Sequence, residues 1–395
     1  MQCITPQASL GIPERTNIMK SLRRTTSKLP KLLFIAISLA LAPAALASTW
    51  YVDGVNGNDN NDCKSQQHAC KTIGRAISRC SSGDSIMVAP ATYKENLPIG
   101  RSLNIIGSSA ATTIVDGGGK GTVFAIPIGV AVGLSGLTIR DGYNPTHGGG
   151  GVSNSSSLMV SNSIISGNSA GSLPGGGIYN LTGGKLIVVN SMITGNSAGA
   201  GGGIAIASGG TLTVINSTIT GNTARGFWWA GGGGIAVATL SGKRGYFGGI
   251  GNSLGGTLTV NNSTISGNKA PNGLGGGIDG ASTLQNTIVA NNSGGNCHHT
   301  PTSKGYNLSS DGTCHFNGAG DMNNTDPKLG TLGNYGGPTP TIPLLAGSPA
   351  IDAGNPSGCT DGKGHLLKTD QRGYPRPDKE DASGCDMGAY ERQSD

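Results

Sequence analysis

The sequence predicts an all-β solenoid, in which short strands wind into stacked coils. A phrase of about 26 residues recurs through the middle of the chain: L-x-V-x-N-S-x-I-x-G-N-x-A, a spacer, and then G-G-G-I. A fixed period with alternating apolar residues between Gly and Asn is typical of solenoids. The 70 glycines and the aromatic content of 4% suit short strands joined by tight turns.

The repeat aligns two columns of apolar anchors, which we expect to face the core. The first column is Val160, Val188, Val214, Val260 and Leu284, and the second is Ile165, Ile193, Ile219, Ile265 and Val289. A coil of this length accommodates about three short strands, which predicts a three-sided helix of parallel strands. One asparagine recurs at an equivalent position of each coil, where we expect it to bond to the next coil: Asn168, Asn196, Asn222, Asn268 and Asn292.

One coil carries an insertion at about 225–248, because Val214 and Val260 are 46 residues apart. This segment concentrates aromatic residues beside Arg225, Lys243 and Arg244; they are Phe227, Trp228, Trp229, Tyr246 and Phe247. Exposed aromatic side chains on a long loop stack on sugars or anchor protein partners. The alternative is a loop that folds back to cover a solenoid face. We identify the five aromatic residues as candidate binding residues.

The N-terminal residues 1–47 have the pattern of a cleaved signal peptide. A basic stretch precedes the apolar run 32–46, and Ala45-Leu46-Ala47 provides a small-x-small cleavage site. Met19 is a plausible true start, since residues 1–18 fit no part of such a signal. Removing 1–47 takes away six basic residues and one acidic residue, which lowers the net charge from +6 to +1. The basic balance therefore does not indicate nucleic acid as a partner, and we expect no membrane span in the mature chain.

The cysteines are grouped along the sequence, and this grouping favours local disulfides. We expect the pairs Cys63–Cys70, Cys297–Cys314 and Cys359–Cys385, with Cys80 left free. A zinc site built on cysteines would need tight C-x-x-C pairs, which the chain lacks. Disulfides also fit an oxidising compartment outside the cytoplasm.

Three regions follow the signal. Residues 48–147 are expected to form the N-terminal cap and the first coils, with a short helix over 71–80 covering the open end of the solenoid. Residues 148–293 form the regular coils. Residues 294–395 lose the period and become rich in Pro, Gly, Asp and Cys, which predicts an irregular C-terminal cap.

These motifs resemble known bacterial families. The coils, S-x-I-x-G-N-x-A with G-G-G-I, resemble the right-handed parallel β-helix family and are similar to the repeats of polymorphic outer membrane proteins. The segments G-S-P-A-I-D-A-G at 347–354, D-Q-R-G at 370–373 and C-D-M-G-A-Y-E at 385–391 resemble a choice-of-anchor Q domain. The resemblance implies a secreted or cell-surface protein. Since the chain ends four residues after Glu391, we expect free secretion or attachment through a partner.

The distribution of carboxylates weighs against an enzyme. Between Asp141 and Asp279 the chain has no Asp or Glu, so the regular coils lack the paired carboxylates of a glycosidase and the ligands of a strong calcium site. A polysaccharide lyase or glycoside hydrolase with its site on loops or caps is the alternative. We expect no catalytic residue, cofactor or metal, and the leading hypothesis is a non-catalytic, adhesin-like protein that binds an extracellular glycan or protein.

Two acidic clusters outside the coils have structural explanations. Asp53, Asn56, Asn58, Asp59 and Asp62 could wrap calcium but lack the spacing of an EF-hand, so we favour a solvated turn. The second cluster, in the C-terminal cap, is better explained by ion pairs than by catalysis; its members are Asp352, Asp370, Asp386, Glu391, Arg372 and Arg376. The segment A-T-Y-K-E-N at 91–96 resembles the first motif of pectin methylesterases, and a coil turn is the simpler interpretation.

Overall fold

Three parallel β-sheets surround a common core in the computed structural model, which describes residues 47–225, 235–237, 256–270, 275–379 and 384–394. These residues belong to the compact unit 46–395. The predicted all-β, three-sided solenoid is confirmed. The described residues contain one helix, which lies at the N-terminal end as the sequence predicts.

The strands are short and follow the sequence repeat. Before the regular coils lie β1 (Thr49–Val52), α1 (Ile73–Arg79), β2 (Ser85–Val88), β3 (Ala91–Lys94), β4 (Leu97–Pro98), β5 (Leu103–Gly107), β6 (Thr113–Asp116), β7 (Phe124–Ile126), β8 (Ala131–Ser135) and β9 (Thr138–Arg140). The regular coils begin with β10 (Val152–Asn154), β11 (Ser157–Ser161), β12 (Ile164–Ser166), β13 (Ile178–Asn180), β14 (Lys185–Val189), β15 (Met192–Thr194), β16 (Ser197–Ala198), β17 (Ile204–Ile206), β18 (Thr211–Ile215), β19 (Thr218–Thr220) and β20 (Thr223–Ala224). They continue with β21 (Ile235–Val237), β22 (Thr257–Asn261), β23 (Thr264–Ser266), β24 (Ile278–Asp279), β25 (Thr283–Gln285), β26 (Ile288–Ala290), β27 (Thr302–Ser303) and β28 (Leu308–Ser309).

Strands of successive coils pair in parallel to form the three sides. Sheet A has ten strands in the order β1-β2-β5-β8-β11-β14-β18-β22-β25-β27. Sheet B has nine, β28-β26-β23-β19-β15-β12-β9-β6-β3, and sheet C has seven, β24-β21-β17-β13-β10-β7-β4. Strand β21 lies within the interval expected for the inserted loop and pairs with β17 and β24. The coil with the insertion therefore still contributes a strand to sheet C.

The predicted anchor columns form the core. In sheet A, Val160 pairs with Val188, Val188 with Val214, and Val214 with Val260, so the 46-residue interval does not break the register. The second column stacks in the same way in sheet B. These side chains are fully buried. Because every coil contributes the same apolar positions, the core is continuous along the solenoid axis.

A buried ladder of asparagines connects the regular coils. The Asn196 side chain donates to Asn222 Oδ1 at 2.9 Å, Asn222 donates to Asn268 Oδ1 at 3.0 Å, and Asn268 donates to Asn292 Oδ1 at 3.0 Å. Each side-chain amide also donates to a backbone carbonyl of the preceding coil, as Asn222 does to Ile193 at 2.9 Å. The ladder satisfies polar groups that the coil turns would otherwise bury unpaired.

Helix α1 covers the N-terminal end. Thr72 caps the helix by accepting from the Arg75 amide at 3.2 Å, and Glu95 accepts from the Ile73 and Gly74 amides at 2.9 and 2.8 Å. Asp84 ties this region to β1, since it accepts from the Ser48 amide at 2.7 Å and from the Trp50 indole at 2.7 Å. Amides of the first helical turn, which have no acceptor within the helix, thus donate to side chains.

The C-terminal segment, defined here as residues 329–394, lies along the side of the solenoid. It contacts the corner asparagine of four successive coils: Thr339 donates to Asn190 O, Asn216 to Thr369 O, Asn262 to Thr360 O, and Asn355 N to Asn286 Oδ1. A small apolar cluster with Leu344, Ala350 and Met387 packs on Ile288 and Ala290 of sheet B. The sequence predicts a cap here, and the structure places most of it on a lateral face.

Disulfides hold both ends of the molecule. The predicted pairs Cys297–Cys314 and Cys359–Cys385 are confirmed, and Cys63 is joined to Cys70. Cys80 is free and buried. Within the described residues, no helix has the length and apolar character needed to cross a membrane.

Candidate functional site

The outer surface of sheet A is the candidate binding face. We call it the open face and define it by the outward residues of the sheet A strands. Neighbouring strands are about 4.8 Å apart, so ten strands form a flat surface roughly 40 Å long. Thr211 and Thr257 are exposed, Met159 is 46% exposed, and Thr213 and Thr259 are half-buried.

The open face carries hydroxyl and aliphatic groups in register and almost no charge. Met159 pairs with Ile187, Ile187 with Thr213, and Thr213 with Thr259, which places these side chains in one row along the axis. Among the outward residues of sheet A, whose strands are all described, Lys185 is the single charged one. Such a surface offers regular hydrogen-bonding groups and apolar contacts without a field that selects ionic ligands.

Sheet B, by contrast, is covered where the C-terminal segment crosses it. The Thr218 hydroxyl donates to Gln371 Oε1 at 2.6 Å, and the Ala389 amide donates to Thr264 Oγ1 at 3.0 Å. Both threonines are buried although they point outward from the solenoid. Among the described residues, most outward side chains of sheet A in the regular coils are exposed or half-buried, in contrast to these covered threonines of sheet B.

The acids of the C-terminal segment are engaged in structural contacts. Asp370 accepts from Arg372 Nε at 2.8 Å, and Glu391 accepts from Arg376 Nε at 2.7 Å. Burial raises the pKa of Glu391, although Arg376 acts in the opposite direction. Asp386 accepts from the Asp352 amide at 2.9 Å. Residues of the D-Q-R-G and C-D-M-G-A-Y-E motifs therefore stabilise the C-terminal segment through ion pairs and hydrogen bonds within it.

The N-terminal motifs are structural as well. Asp53 accepts from the Val55 and Asn56 amides, and Asp59 accepts from Lys71 N and Thr72 N at 2.9 Å each, so these carboxylates serve turns. In the A-T-Y-K-E-N segment, Tyr93 bonds to backbone groups and Glu95 caps α1. The interpretation of this segment as part of an active site has no support in its contacts.

A second candidate site lies at the end of sheet C and joins two coils. Asp279, the last residue of β24, contacts two imidazoles: its Oδ1 lies 2.8 Å from His298 Nδ1 and 3.0 Å from His299 Nδ1. Asp279 is fully buried, whereas the histidine side chains are 37% and 47% exposed. The second carboxylate oxygen, Oδ2, is buried and has no hydrogen-bond partner. Among the described residues, these three form the one group of His, Cys, Asp or Glu whose geometry suits a metal ion.

Burial disfavours the charged forms of Asp279 and His298. It raises the pKa of Asp279 to about 8, while the Gly280 amide acts in the opposite direction. Burial also lowers the pKa of His298, and the adjacent His299 lowers it further. The short Asp279–His298 contact by itself would favour an ion pair, but burial acts against the charged forms of both groups.

Sequence reasoning did not find this triad. Two features of the sequence could have indicated it: the adjacent histidines after Cys297, and Asp279 as the first carboxylate after the long acid-free stretch. The stacking of two coils is what brings these residues together. The aromatic candidates lie outside the described residues; they are Phe227, Trp228, Trp229, Tyr246 and Phe247.

The fold and these surfaces define a parallel β-helix protein. Residues 63–241 match the family model of the right-handed beta helix region, which agrees with the predicted hand of the solenoid and spans less than half of the chain. A search of curated proteins gave no match.

Solved structures that this chain matches are of low similarity. A pectate lyase, Pel9A, is 15% identical with a TM-score of 0.40, and the match covers 87% of this chain and 96% of that one. A rhamnogalacturonan lyase is 13% identical with a TM-score of 0.38, covering 62% and 75%. XylC in complex with xylose is 10% identical with a TM-score of 0.39, covering 87% and 98%. Similarity at this level supports no conclusion about this chain.

Proposed function

We propose that this protein is an exported, non-catalytic β-helix that binds an extended, uncharged glycan along the open face. The observation that carries the proposal is the row of threonine and aliphatic side chains in register over successive coils. Thr213 and Thr259 place hydroxyls about 4.8 Å apart on neighbouring strands, which suits a polymer with many equivalent hydroxyl groups better than a single small ligand. The near absence of charge on this face favours an uncharged polymer over an acidic one.

Export is part of the proposal. The signal-like residues 1–47 and the disulfides support a location at or beyond the cell surface. The C-terminal segment, which resembles a choice-of-anchor Q domain, would then stabilise the solenoid from the side and leave the open face accessible. Attachment to the surface through a partner or free secretion are both compatible with this arrangement.

A polysaccharide screen tests the function. Purified protein is incubated with insoluble neutral and acidic polysaccharides, with and without calcium, and both the bound fraction and the number of new reducing or unsaturated ends are measured. We expect retention on a neutral polysaccharide, independent of calcium and without new ends. New ends would replace the binding proposal with a carbohydrate-active enzyme.

Substitutions on the open face test where the glycan binds. Met159→Glu and Thr213→Glu place a charge in the middle of the row, and each should weaken binding at least about tenfold, or about 1.4 kcal/mol. Thr92→Glu is the matched control, because Thr92 is an exposed strand residue of sheet B. Equal binding by all three variants and the unaltered protein would exclude the open face.

The inserted aromatic residues remain a separate proposal for the same function. A double substitution of Trp228 and Trp229 by Ala should abolish glycan binding without unfolding the protein if these rings stack on sugars. Loss of the folded state in this variant, measured by circular dichroism, would instead favour a loop that covers part of the solenoid.

A further inference from the structure

The triad at the end of sheet C is built by the stacking of coils. Ile278 of β24 bridges in parallel to Cys297 of the next coil, so His298 follows in register with Asp279. The Cys297–Cys314 disulfide and a hydrogen bond from His298 N to Ile278 O at 3.1 Å fix this register. Gly275 permits the approach, since a Cβ there would lie 2.7 Å from His298 N.

The triad also has an unused ligand atom. Asp279 Oδ2 is buried without a partner, which is costly for a polar atom unless another group completes its coordination. Both histidine side chains are partly exposed. A buried carboxylate and two partly exposed imidazoles thus bring three ligand atoms within 4.8 Å of one another.

We propose that Asp279, His298 and His299 bind one divalent transition-metal ion, with Zn²⁺ as the preferred ion. Two imidazole nitrogens and one carboxylate oxygen are ligands that Zn²⁺ accepts in sites that keep an open position. Ca²⁺ and Mg²⁺ prefer oxygen ligands and fit this set poorly. A bound ion would link β24 to the following coil.

Metal binding to tag-free protein tests the site directly. Zn²⁺ is titrated by calorimetry after dialysis against a chelator, and bound metal is counted by elemental analysis. We expect one Zn²⁺ per chain and a higher midpoint of thermal unfolding when Zn²⁺ is present. His298→Ala and His299→Ala should each weaken Zn²⁺ binding at least about 100-fold, since loss of a ligand exceeds the effect of an outer-shell change.

The controls separate a specific site from loose histidine binding. Outside the triad, His365 contacts the carboxylate of Asp361. The His365→Ala variant is therefore the matched control, and it should bind Zn²⁺ as tightly as the unaltered protein does. With Cu²⁺ as the probe, electron paramagnetic resonance should detect two coordinating nitrogens, and one nitrogen in His299→Ala. Because both histidines are partly exposed, their variants should keep the circular dichroism of the folded protein. Binding that is equally strong in the His298→Ala/His299→Ala double variant, or absent from the unaltered protein, would overturn the proposal.

Discussion

Two asparagine positions recur in the repeat, and at the scale of single residues they have different roles. The asparagine that follows glycine in the repeat forms the buried ladder. Asn222, for example, accepts from the backbone amide and the side chain of Asn196, and its own side chain donates to Asn268 Oδ1 and Ile193 O. The asparagine of the N-S step occupies a coil corner with positive φ, 45° at Asn216, which asparagine tolerates better than most residues. The sequence predicts the first role from recurrence alone, whereas the contacts of the second role depend on the C-terminal segment.

Removing one rung of the ladder should be costly. Asn222→Ala leaves two buried donors of Asn196 without an acceptor, and we expect it to lower the free energy of unfolding by about 2 to 4 kcal/mol. Urea denaturation measures this change. Asn104→Ala is the control, because Asn104 is exposed on sheet A and should change stability by less than about 0.5 kcal/mol. Equal effects in both variants would mean that the ladder contributes nothing specific.

Acid should weaken the N-terminal region through Asp84. Burial opposes ionisation of this carboxyl, but the Ser48 and Ser81 amides and the Trp50 indole hold its pKa below the usual value of 3.8. The stabilisation by charged Asp84 is therefore complete above pH 4 or so and is lost as the pH falls through the folded-state pKa. The melting temperatures of the unaltered protein and of Asp84→Asn should converge below about pH 4 and differ above it. A difference that stays constant between about pH 3 and pH 7 would contradict this assignment.

At the scale of elements, the C-terminal segment is held by a few buried side chains. Gln371 is fully buried; it accepts from Thr218 of sheet B and donates to Thr339 Oγ1 and Pro340 O at 2.9 and 2.8 Å. Arg376 reaches the solenoid in a similar way, since Nη1 donates to Asn216 Oδ1 at 3.0 Å. The sequence predicts that this region is irregular and disulfide-linked. Its lateral position could not be predicted, because no periodic pattern records which coil face an irregular segment covers.

Loss of Gln371 should release this segment. Gln371→Ala removes the three side-chain hydrogen bonds that join Thr218, Thr339 and Pro340 through one fully buried amide, so we expect a destabilisation of about 2 to 4 kcal/mol. Limited proteolysis should then cleave within 329–394 faster than in the unaltered protein, while the regular coils stay resistant. Gln67→Ala changes an exposed glutamine and provides the control. Unchanged proteolysis in Gln371→Ala would show that the segment is held by other contacts.

At the scale of the whole molecule, repetition explains what was predictable. Val160, Val188, Val214 and Val260 recur in sequence because they stack in space, so the fold and the core follow directly from the period. The metal candidate is different, since Asp279 and His298 come from the last coils, where the period fades. Their proximity depends on the register of the Ile278–Cys297 bridge, which the sequence repeat does not predict.

The faces of the solenoid differ in accessibility, which distinguishes its structural surfaces from the candidate binding face. The C-terminal segment covers part of sheet B, the core columns are fully buried, and the described residues of the open face include accessible side chains. Its two exposed methionines, Met87 and Met159, are 38% and 46% exposed and are reporters of occupancy by a ligand. Exposed methionine is readily oxidised, and a bound polymer should shield it.

Hydroxyl-radical footprinting with mass spectrometry tests glycan binding at the open face most directly. The protein is oxidised with and without the polysaccharide that retains it, and oxidation is compared at Met159 and Met87 and at Tyr143 and Tyr374, which are exposed away from sheet A. We predict that the glycan protects Met159 and Met87 and leaves Tyr143 and Tyr374 unchanged. Unchanged oxidation of both methionines in a saturated complex would contradict glycan binding along the open face.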